Sequence, residues 1–299
     1  MADDTFSAGW LALREPVDHR SRARALADTL SLVGARSAWS SALDLGAGTG
    51  SNLRYLAPLL PLLKEWTLLD HDVDLLARAA APHPGLEVRA LRGDLAAEGL
   101  DAVTGAHLIT ASALLDLVSG AWLQSLVSRC APARCGVLFA LTYDGEISWG
   151  VTDPDDGLVR DAVNRHQEVD KGLGPALGPR AATVARDLFV AAGYDTWLRA
   201  SPWELTGPRD APLALALVEG WIAAAVEVRP DEEPRIRAWG TRRVGHVSGA
   251  DYALRVGHRD LLALPRDAIE PGDAIEPPDE PGAVEAGRTA VDASKARGP

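Results

Sequence analysis

Three glycines at alternate positions, directly after a short apolar run, constrain this chain more than any other feature of its sequence. The run Ala42-Leu-Asp-Leu leads into Gly46-Ala-Gly-Thr-Gly and then into a segment of helical pattern that begins at Ser51. Glycine is needed where a backbone turns sharply and a ligand approaches it, because a Cβ would fill that space. In an α/β sheet such a turn lies at the carboxyl end of the first strand, where ligands bind. A tight turn without a ligand is the alternative interpretation.

Short apolar runs alternate with helical patterns on both sides of this turn. We predict strands at residues 42–45, 66–69, 86–91, 106–110 and 136–141. We predict helices between them at residues 51–60, 73–81 and 121–130. This order is typical of βαβ units, whose crossovers place helices on both faces of a parallel sheet. The pattern therefore predicts a three-layer α/β fold.

The regular alternation changes after residue 141. Turn-forming and charged residues fill 143–180, so we predict an insertion there over one end of the sheet. A helix at 181–192 and a strand at 196–200 follow, and residues 203–248 are predicted to form a second, helical insertion. A last strand is predicted near residues 252–263.

The two ends of the chain differ from its middle. Residues 1–40 show helical spacing of apolar residues and are predicted to form a helical lead-in. Residues 266–299 hold five prolines and no aromatic residue, so we predict a disordered, acidic tail. Residues 1–265 are then expected to form a single domain.

Composition excludes several classes of protein. A formal charge of -12 argues against DNA as a partner, because duplex binding needs basic residues on phosphates. Two cysteines are too few for a disulfide scaffold or a zinc site, and the histidines show no metal-ligand spacing, so no metal is predicted. The most apolar stretch, 211–228, contains two glutamates, and the N-terminus does not have the layout of a signal peptide. We expect a bacterial, cytoplasmic protein with no membrane partner.

Two classes of cofactor compete for the glycine turn. A dinucleotide fingerprint places its third glycine at position 51, which is Ser51 here, whereas the third glycine of this chain is Gly50. Asp44, two residues before the first glycine, would repel a pyrophosphate but attract a cationic ligand. In this acidic-x-Gly-x-Gly-x-Gly spacing the sequence resembles the class I S-adenosylmethionine-dependent methyltransferases. A nicotinamide oxidoreductase is the less favoured alternative.

Three further segments, each at or near the end of a predicted strand, carry the same resemblance. Asp70 ends the second strand, 20 residues after Gly50, and Gly93-Asp94-Leu95 follows the third. Leu108-Ile-Thr-Ala-Ser-Ala-Leu-Leu-Asp spans the fourth. In that family the acid at the position of Asp70 binds the ribose hydroxyls, and the segment at the position of Asp94 and Leu95 binds the adenine. The end of the fourth strand passes beneath the sulfonium. The resemblance covers residues 40–142 and implies a Rossmann-like sheet, mostly parallel, with an antiparallel last strand and helical additions.

The resemblance implies S-adenosylmethionine as the cofactor. The residues that it assigns to cofactor binding are Asp44, Gly46, Ala47, Gly48, Gly50, Asp70, Asp94, Leu95 and Ser112.

Methyl transfer needs alignment and an unprotonated acceptor atom, so a proton acceptor is expected near the cofactor. His166 is one candidate, because helical spacing would place Asp170 on the same face to orient it. Asp116 and Tyr143, which follow the fourth and fifth strands, are the other candidates. Each also has a plain structural interpretation: a packed histidine, a helix cap and a loop residue.

These residues favour methyl transfer to a small metabolite or natural product, with the acceptor atom and the oligomeric state left open. Methylation of a protein or an RNA is one alternative, and a basic groove would be needed for RNA. A cofactor-binding regulatory protein without catalysis is the other.

Overall fold

A computed structural model of the protein describes residues 7–250 and 252–268. Its strands are β1 (Ser41–Leu45), β2 (Glu65–Asp70), β3 (Glu87–Arg92), β4 (Leu108–Ser112), β5 (Gly136–Trp149), β6 (Tyr194–Ala200), β7 (Trp203–Thr206) and β8 (Ala253–Pro265). Its α-helices are α1 (Ala8–Ser21), α2 (Arg24–Arg36), α3 (Ser51–Leu56), α4 (Val73–Ala79), α5 (Leu100–Ala102), α6 (Gly120–Ala133), α7 (Asp156–Gln167), α8 (Ala181–Ala191), α9 (Gly207–Val228) and α10 (Glu233–Ser248).

The described strands form one sheet in the order β3-β2-β1-β4-β5-β8-β6, with β7 paired to β8. Neighbours from β3 to β5 are parallel, and β8 runs antiparallel to β5, β6 and β7. The strand order reverses at β1, so the carboxyl ends of β1 and β4 flank the crevice where ligands bind in open α/β sheets. This topology confirms the predicted Rossmann-like fold class with an antiparallel last strand.

Apolar residues divide into three clusters that explain the layers. One cluster joins a face of the sheet to α6 and α8 and includes Ile109 and Phe189. A second joins the other face to α2, α3 and α4 and includes Trp66. The third lies where β5, β7 and β8 extend past the main sheet, and it holds α1, α7, α9 and α10 around residues such as Trp221 and Trp239. The helical additions therefore share a core of their own.

Two predicted boundaries are wrong. Residues 203–206 form β7, although the segment 203–248 was predicted to be helical. Strand β5 continues to Trp149, although an insertion was predicted to start at residue 143. Strand β7 has four residues, of which Trp203 and Leu205 are buried and the other two are exposed. An alternation of buried and exposed residues over only four positions is too short to be recognised in a sequence. The extension of β5 pairs with the first residues of β8, from Leu254 to His258, a contact between segments more than 100 residues apart.

Helix α9 is, in the part of the chain described here, long and apolar enough to span a membrane by length and composition alone. It packs between α7 and α10 and buries Leu213, Leu217 and Trp221 in the third cluster. The predicted tail, 266–299, lies outside the described residues except for one turn at Arg266–Ala268.

Candidate functional site

The glycine turn between β1 and α3 has a backbone that only glycine adopts without strain. The φ angles of Gly46, Gly48 and Gly50 are 64°, 53° and 80°, all in the left-handed region. A Cβ on Gly50 would lie 3.0 Å from the Cα of Ala79, and one on Gly46 would lie 3.3 Å from the Cδ1 atom of Leu114. The turn therefore needs glycine for conformation and for close packing.

Asp70 connects this turn to the end of β2. Its Oδ2 atom accepts a hydrogen bond of 2.7 Å from the Gly48 N–H, and its Oδ1 atom accepts one of 2.9 Å from the Asp72 N–H. The side chain is buried. A carboxylate oxygen has more than one acceptor position, so Asp70 can brace the turn and still accept from a ligand hydroxyl. The structure thus brings together two segments that the sequence places at one site.

Asp44 is the most unusual group in the turn. It is 1% exposed, and its Oδ1 atom accepts a hydrogen bond of 2.7 Å from the Asn52 amide. Its Oδ2 atom has no hydrogen-bond partner among the residues that the structure describes. Burial raises the pKa of Asp44 to about 7, although Asn52 and Arg22 oppose that shift. An unpartnered buried carboxylate oxygen is costly, so this atom is suited to a donor or a cation that a ligand brings.

The loop after β3 lies against the end of β2. The Gly93 N–H donates to the Asp70 carbonyl over 3.1 Å. Asp94 is exposed, and its Oδ1 atom accepts from the Ala96 N–H over 2.6 Å. These bonds hold Asp94 at the start of a π-helical turn, Leu95–Gly99. The predicted second segment of the site is therefore adjacent to Asp70.

Backbone strain marks the carboxyl end of β4. Ser112 is partly buried there, and the next residue, Ala113, has a φ of 52°. Its N–H donates to the Ala140 carbonyl over 2.8 Å, and Leu141 on β5 has a φ of 54°. Each non-glycine residue in this region costs roughly 1–2 kcal/mol, and such strain clusters at functional sites. Ala113 follows β4, the strand beside β1, and the next residue, Leu114, lies against Gly46 of the glycine turn, whereas Leu141 lies within β5.

Asp116 follows β4 as predicted, whereas Tyr143 lies within β5 and not after it, close enough for the charge of Asp116 to act on its hydroxyl. Asp116 is buried, and its Oδ1 atom has no partner. Burial raises the pKa of Asp116 to about 6, opposed by the positive charge of Arg14. Tyr143 donates its hydroxyl to Asn164 Oδ1 over 2.7 Å, and burial raises the pKa of Tyr143 above its usual value. The structure therefore groups two of the three predicted catalytic candidates.

His166 has different neighbours from those predicted. Helix α7 ends at Gln167, so Asp170 is not on its face. The Asp170 carboxylate instead accepts hydrogen bonds from the N–H groups of Gly172 and Gly174. His166 Nε2 lies 3.4 Å from Glu227 Oε2 on α9, at a partly exposed position. The predicted orientation of His166 by Asp170 is wrong.

The sequence did not reveal that α1 covers the glycine turn. The Leu11 Cδ1 atom lies 3.2 Å from the position of a Cβ on Gly48. His19 Nε2 is 3.1 Å from both Ser51 Oγ and the Ser51 carbonyl oxygen. Helical spacing predicts this helix, but no local pattern says where it packs. The lead-in is thus part of the site.

A buried polar network anchors the lead-in to the turn. Arg22 lies between α1 and α2 and donates to Asn52 Oδ1 over 2.9 Å. The Asn52 amide donates in turn to Asp44 Oδ1 and to Thr110 Oγ1. On its other side, Arg22 Nε lies 3.5 Å from Asp260 Oδ2 on β8. The network connects β1, α3, β4 and β8 through one guanidinium group.

His258 on β8 is a second residue that the sequence did not single out. It is 5% exposed, and its Nδ1 atom lies 3.0 Å from the Val256 carbonyl, to which it donates as the protonated nitrogen. Burial and the charge of Arg14 lower the pKa of His258 to about 3. Its ring centroid is 4.6 Å from that of Trp203 and 6.1 Å from that of Tyr143.

The guanidinium of Arg14 lies 5.0 Å from the Trp203 ring centroid. We refer to Arg14, Asp116, Tyr143, Trp203 and His258 as the Asp116 cluster. Within the described residues, no group of three or more His, Cys, Asp or Glu side chains is placed to hold a metal ion.

No protein-family profile and no curated protein matches this chain. Among solved structures it is similar to a cyclopropane-fatty-acyl-phospholipid synthase-like protein from Lactobacillus casei, at 14% identity and a TM-score of 0.48, over 84% of this chain and 98% of that one. A SAM-dependent methyltransferase from Geobacter sulfurreducens, in complex with S-adenosyl-L-homocysteine, is 16% identical with a TM-score of 0.40, over 80% of this chain and 90% of that one.

An O-methyltransferase family protein from Burkholderia thailandensis is 16% identical with a TM-score of 0.41. The match covers 59% of this chain and about half, 52%, of that protein. None of these similarities decides the activity by itself.

Proposed function

We propose that this chain transfers the methyl group of S-adenosylmethionine to a small-molecule acceptor. The observation that carries the proposal is the glycine turn, with a left-handed backbone at three alternate glycines and an unpartnered oxygen on the buried Asp44. A dinucleotide would bring a pyrophosphate to that carboxylate, whereas S-adenosylmethionine brings positive charge. The donor set therefore fits the cationic cofactor.

The residues at the strand ends fit the remaining parts of that cofactor. Asp70, braced by Gly48, would accept from the ribose hydroxyls, and Asp94 with the Leu95 N–H would bind the adenine. Gly46, Ala47 and Gly50 would let the cofactor approach the backbone, and Ser112 would lie beneath the sulfonium. When bound, the cofactor supplies a methyl group that is already activated by positive sulfur.

The chain's own residues then have three tasks. The turn and Asp70 hold the donor in one orientation, which provides the alignment that an in-line displacement requires. Helix α1 packs against the turn at Gly48 and would limit the access of water to a bound cofactor. A side chain near the acceptor must remove a proton when the acceptor atom carries one.

The position of the Asp116 cluster supports a small acceptor. Its acidic, aromatic and imidazole groups are buried behind α1 and between β5, β7 and β8, so a folded protein surface or an RNA helix would not reach them. The chain also carries a net charge of -12, which opposes RNA binding.

Equilibrium binding and methyl transfer test the proposal in sequence. Purified protein is titrated with S-adenosylmethionine, S-adenosylhomocysteine and NAD, and then incubated with methyl-labelled S-adenosylmethionine and a cell extract that is afterwards separated into small-molecule, protein and RNA fractions. We expect binding of the first two and labelled small molecules. Binding of NAD alone would support an oxidoreductase, label in the protein or RNA fraction would support those acceptors, and binding without any transfer would support a regulatory protein.

We also propose a cytoplasmic location. The proposal rests on Cys130 and Cys135, which are both free and buried, a state that a reducing compartment maintains. Cell fractionation with thiol labelling of the unfolded protein tests it, and an oxidised pair in a secreted fraction would contradict it.

A further inference from the structure

Asp116 is a buried acid that the protein leaves partly unpaired. It is 7% exposed, and its Oδ1 atom makes no hydrogen bond. Buried polar atoms are almost always paired, so an unpaired one needs an explanation. Asp116 follows β4, the strand whose end carries the strained Ala113 beside the glycine turn. The explanation that this position suggests is a partner brought by the substrate.

The other titratable groups of the Asp116 cluster are each unable to take up a proton at neutral pH. His258 on β8 stays neutral, because burial and Arg14 lower its pKa to about 3. Tyr143 on β5 already carries its proton and donates it to Asn164. Arg14 on α1 is a permanent cation that pairs with Asp18. Asp18, a second buried acid, already accepts hydrogen bonds from Arg14 and from the Trp203 indole. Asp116 is the acid with an unpaired oxygen, and its pKa, which burial raises to about 6, lets it accept a proton near neutral pH.

The neighbours of Asp116 also restrict the acceptor. Trp203 and Tyr143 are buried, and their rings pack against that of His258. The charge of Arg14 lies in the same cluster and disfavours an acceptor that arrives as an ammonium ion. A hydroxyl group avoids that repulsion and still offers a hydrogen to the free oxygen of Asp116.

We propose that Asp116 accepts the proton of a hydroxyl group on a small molecule, so that this chain is an O-methyltransferase. The inference rests on the proposed function. The acceptor oxygen attacks the methyl carbon, the carbon–sulfur bond breaks with its electron pair remaining on sulfur, and the hydroxyl proton moves to Asp116 Oδ1. The products are a methyl ether and S-adenosylhomocysteine, and the proton then passes from Asp116 to water.

This assignment differs from the one that the sequence favoured. His166 lies on α7 next to Glu227 of α9, at a partly exposed position. Asp116 follows β4 at a buried position. The two candidates can therefore be separated by experiment.

The test compares Asp116→Asn with His166→Gln and with Asp161→Asn, an exposed aspartate on α7 that serves as the matched control. Labelled S-adenosylmethionine is offered with 4-methylphenol, 4-nitrophenol, 4-methylaniline and a small-metabolite extract, and products are identified by mass spectrometry. We expect methyl ethers, and a kcat that falls by at least ~100-fold in Asp116→Asn, as for loss of a general base. The Kd for S-adenosylmethionine should stay within about twofold in all three variants, since none of them changes the glycine turn.

Two readouts separate a proton acceptor from a structural residue. The wild-type kcat should rise with pH through a limb near pH 6, which Asp116→Asn removes. The substitution Asp116→Asn should lower kcat less with 4-nitrophenol than with 4-methylphenol, because the more acidic 4-nitrophenol ionises without a protein base. N-methylated products, a retained pH limb, or a larger loss in His166→Gln would overturn the assignment of Asp116. Cofactor binding without label in any product would instead overturn the proposed function.

Discussion

Replacement of Asp44 by asparagine should stabilise the protein at alkaline pH while it weakens cofactor binding. Burial raises the pKa of Asp44 from 3.8 to about 7. Each pKa unit corresponds to about 1.4 kcal/mol, so ionisation of this buried group costs ~4 kcal/mol once it is complete. The folded pKa is the higher one, so stability is greatest below pH 4, falls as the pH rises from 4 to 7, and changes little above pH 8.

Urea unfolding of wild type and Asp44→Asn at pH 5 and pH 8.5 measures this effect. Part of the cost of ionising Asp44 is already present at pH 5. The free energy of unfolding of the variant should therefore rise by about 3 kcal/mol relative to that of wild type between pH 5 and pH 8.5. Asp161→Asn, at an exposed position, should show no such change. The affinity for S-adenosylmethionine should fall in Asp44→Asn, because the positively charged cofactor would no longer be attracted by a carboxylate at position 44. An equal difference in unfolding free energy at both pH values would refute the reasoning.

Four other substitutions, one of them a control, probe the turn and the helical additions. Gly48→Val and Gly85→Val both place a side chain at a positive φ, at a cost of ~1–2 kcal/mol in stability each. Isothermal titration should show loss of S-adenosylmethionine binding only in Gly48→Val, because no atom lies near the Cβ position of Gly85. Asp70→Asn should weaken that binding by about 10- to 100-fold, since it removes a charged acceptor, and unchanged affinity would contradict the placement of the site. Arg242 holds the pKa of Asp153 at about 2, so the stability that this pair provides is present above pH 4 and lost as the pH falls towards 2. Arg242→Ala should therefore lower the urea midpoint at pH 7 but hardly at pH 2, and equal losses would argue against the ion pair.

The glycine turn and the acids at the strand ends could be predicted because their signals are local. Gly46, Gly48 and Gly50 are needed by a backbone conformation, and Asp70 is close to them because parallel strands end at the same edge of the sheet. The order of strands and helices follows from apolar periodicity for the same reason.

The substrate side could not be predicted because its contacts join distant segments. His258 meets Tyr143 across 115 residues, and Trp203 meets Asp18 across 185. Whether Asp116 is paired depends on what surrounds it in three dimensions, and no spacing in the sequence encodes that. The interpretation of His166 also assumed that a helix continues to Asp170, whereas it ends at Gln167.

Arg22 sets a limit on how this protein can be shortened or recombined. It supplies the hydrogen to Asn52 Oδ1, and Asn52 in turn donates to Asp44 in the turn itself. A version that started at β1 would keep every glycine of the turn and every strand-end acid, yet Asn52 would lose its donor and Asp260 its buried cation. An engineer who wished to graft a new acceptor pocket onto this sheet would therefore have to carry the first two helices along with it.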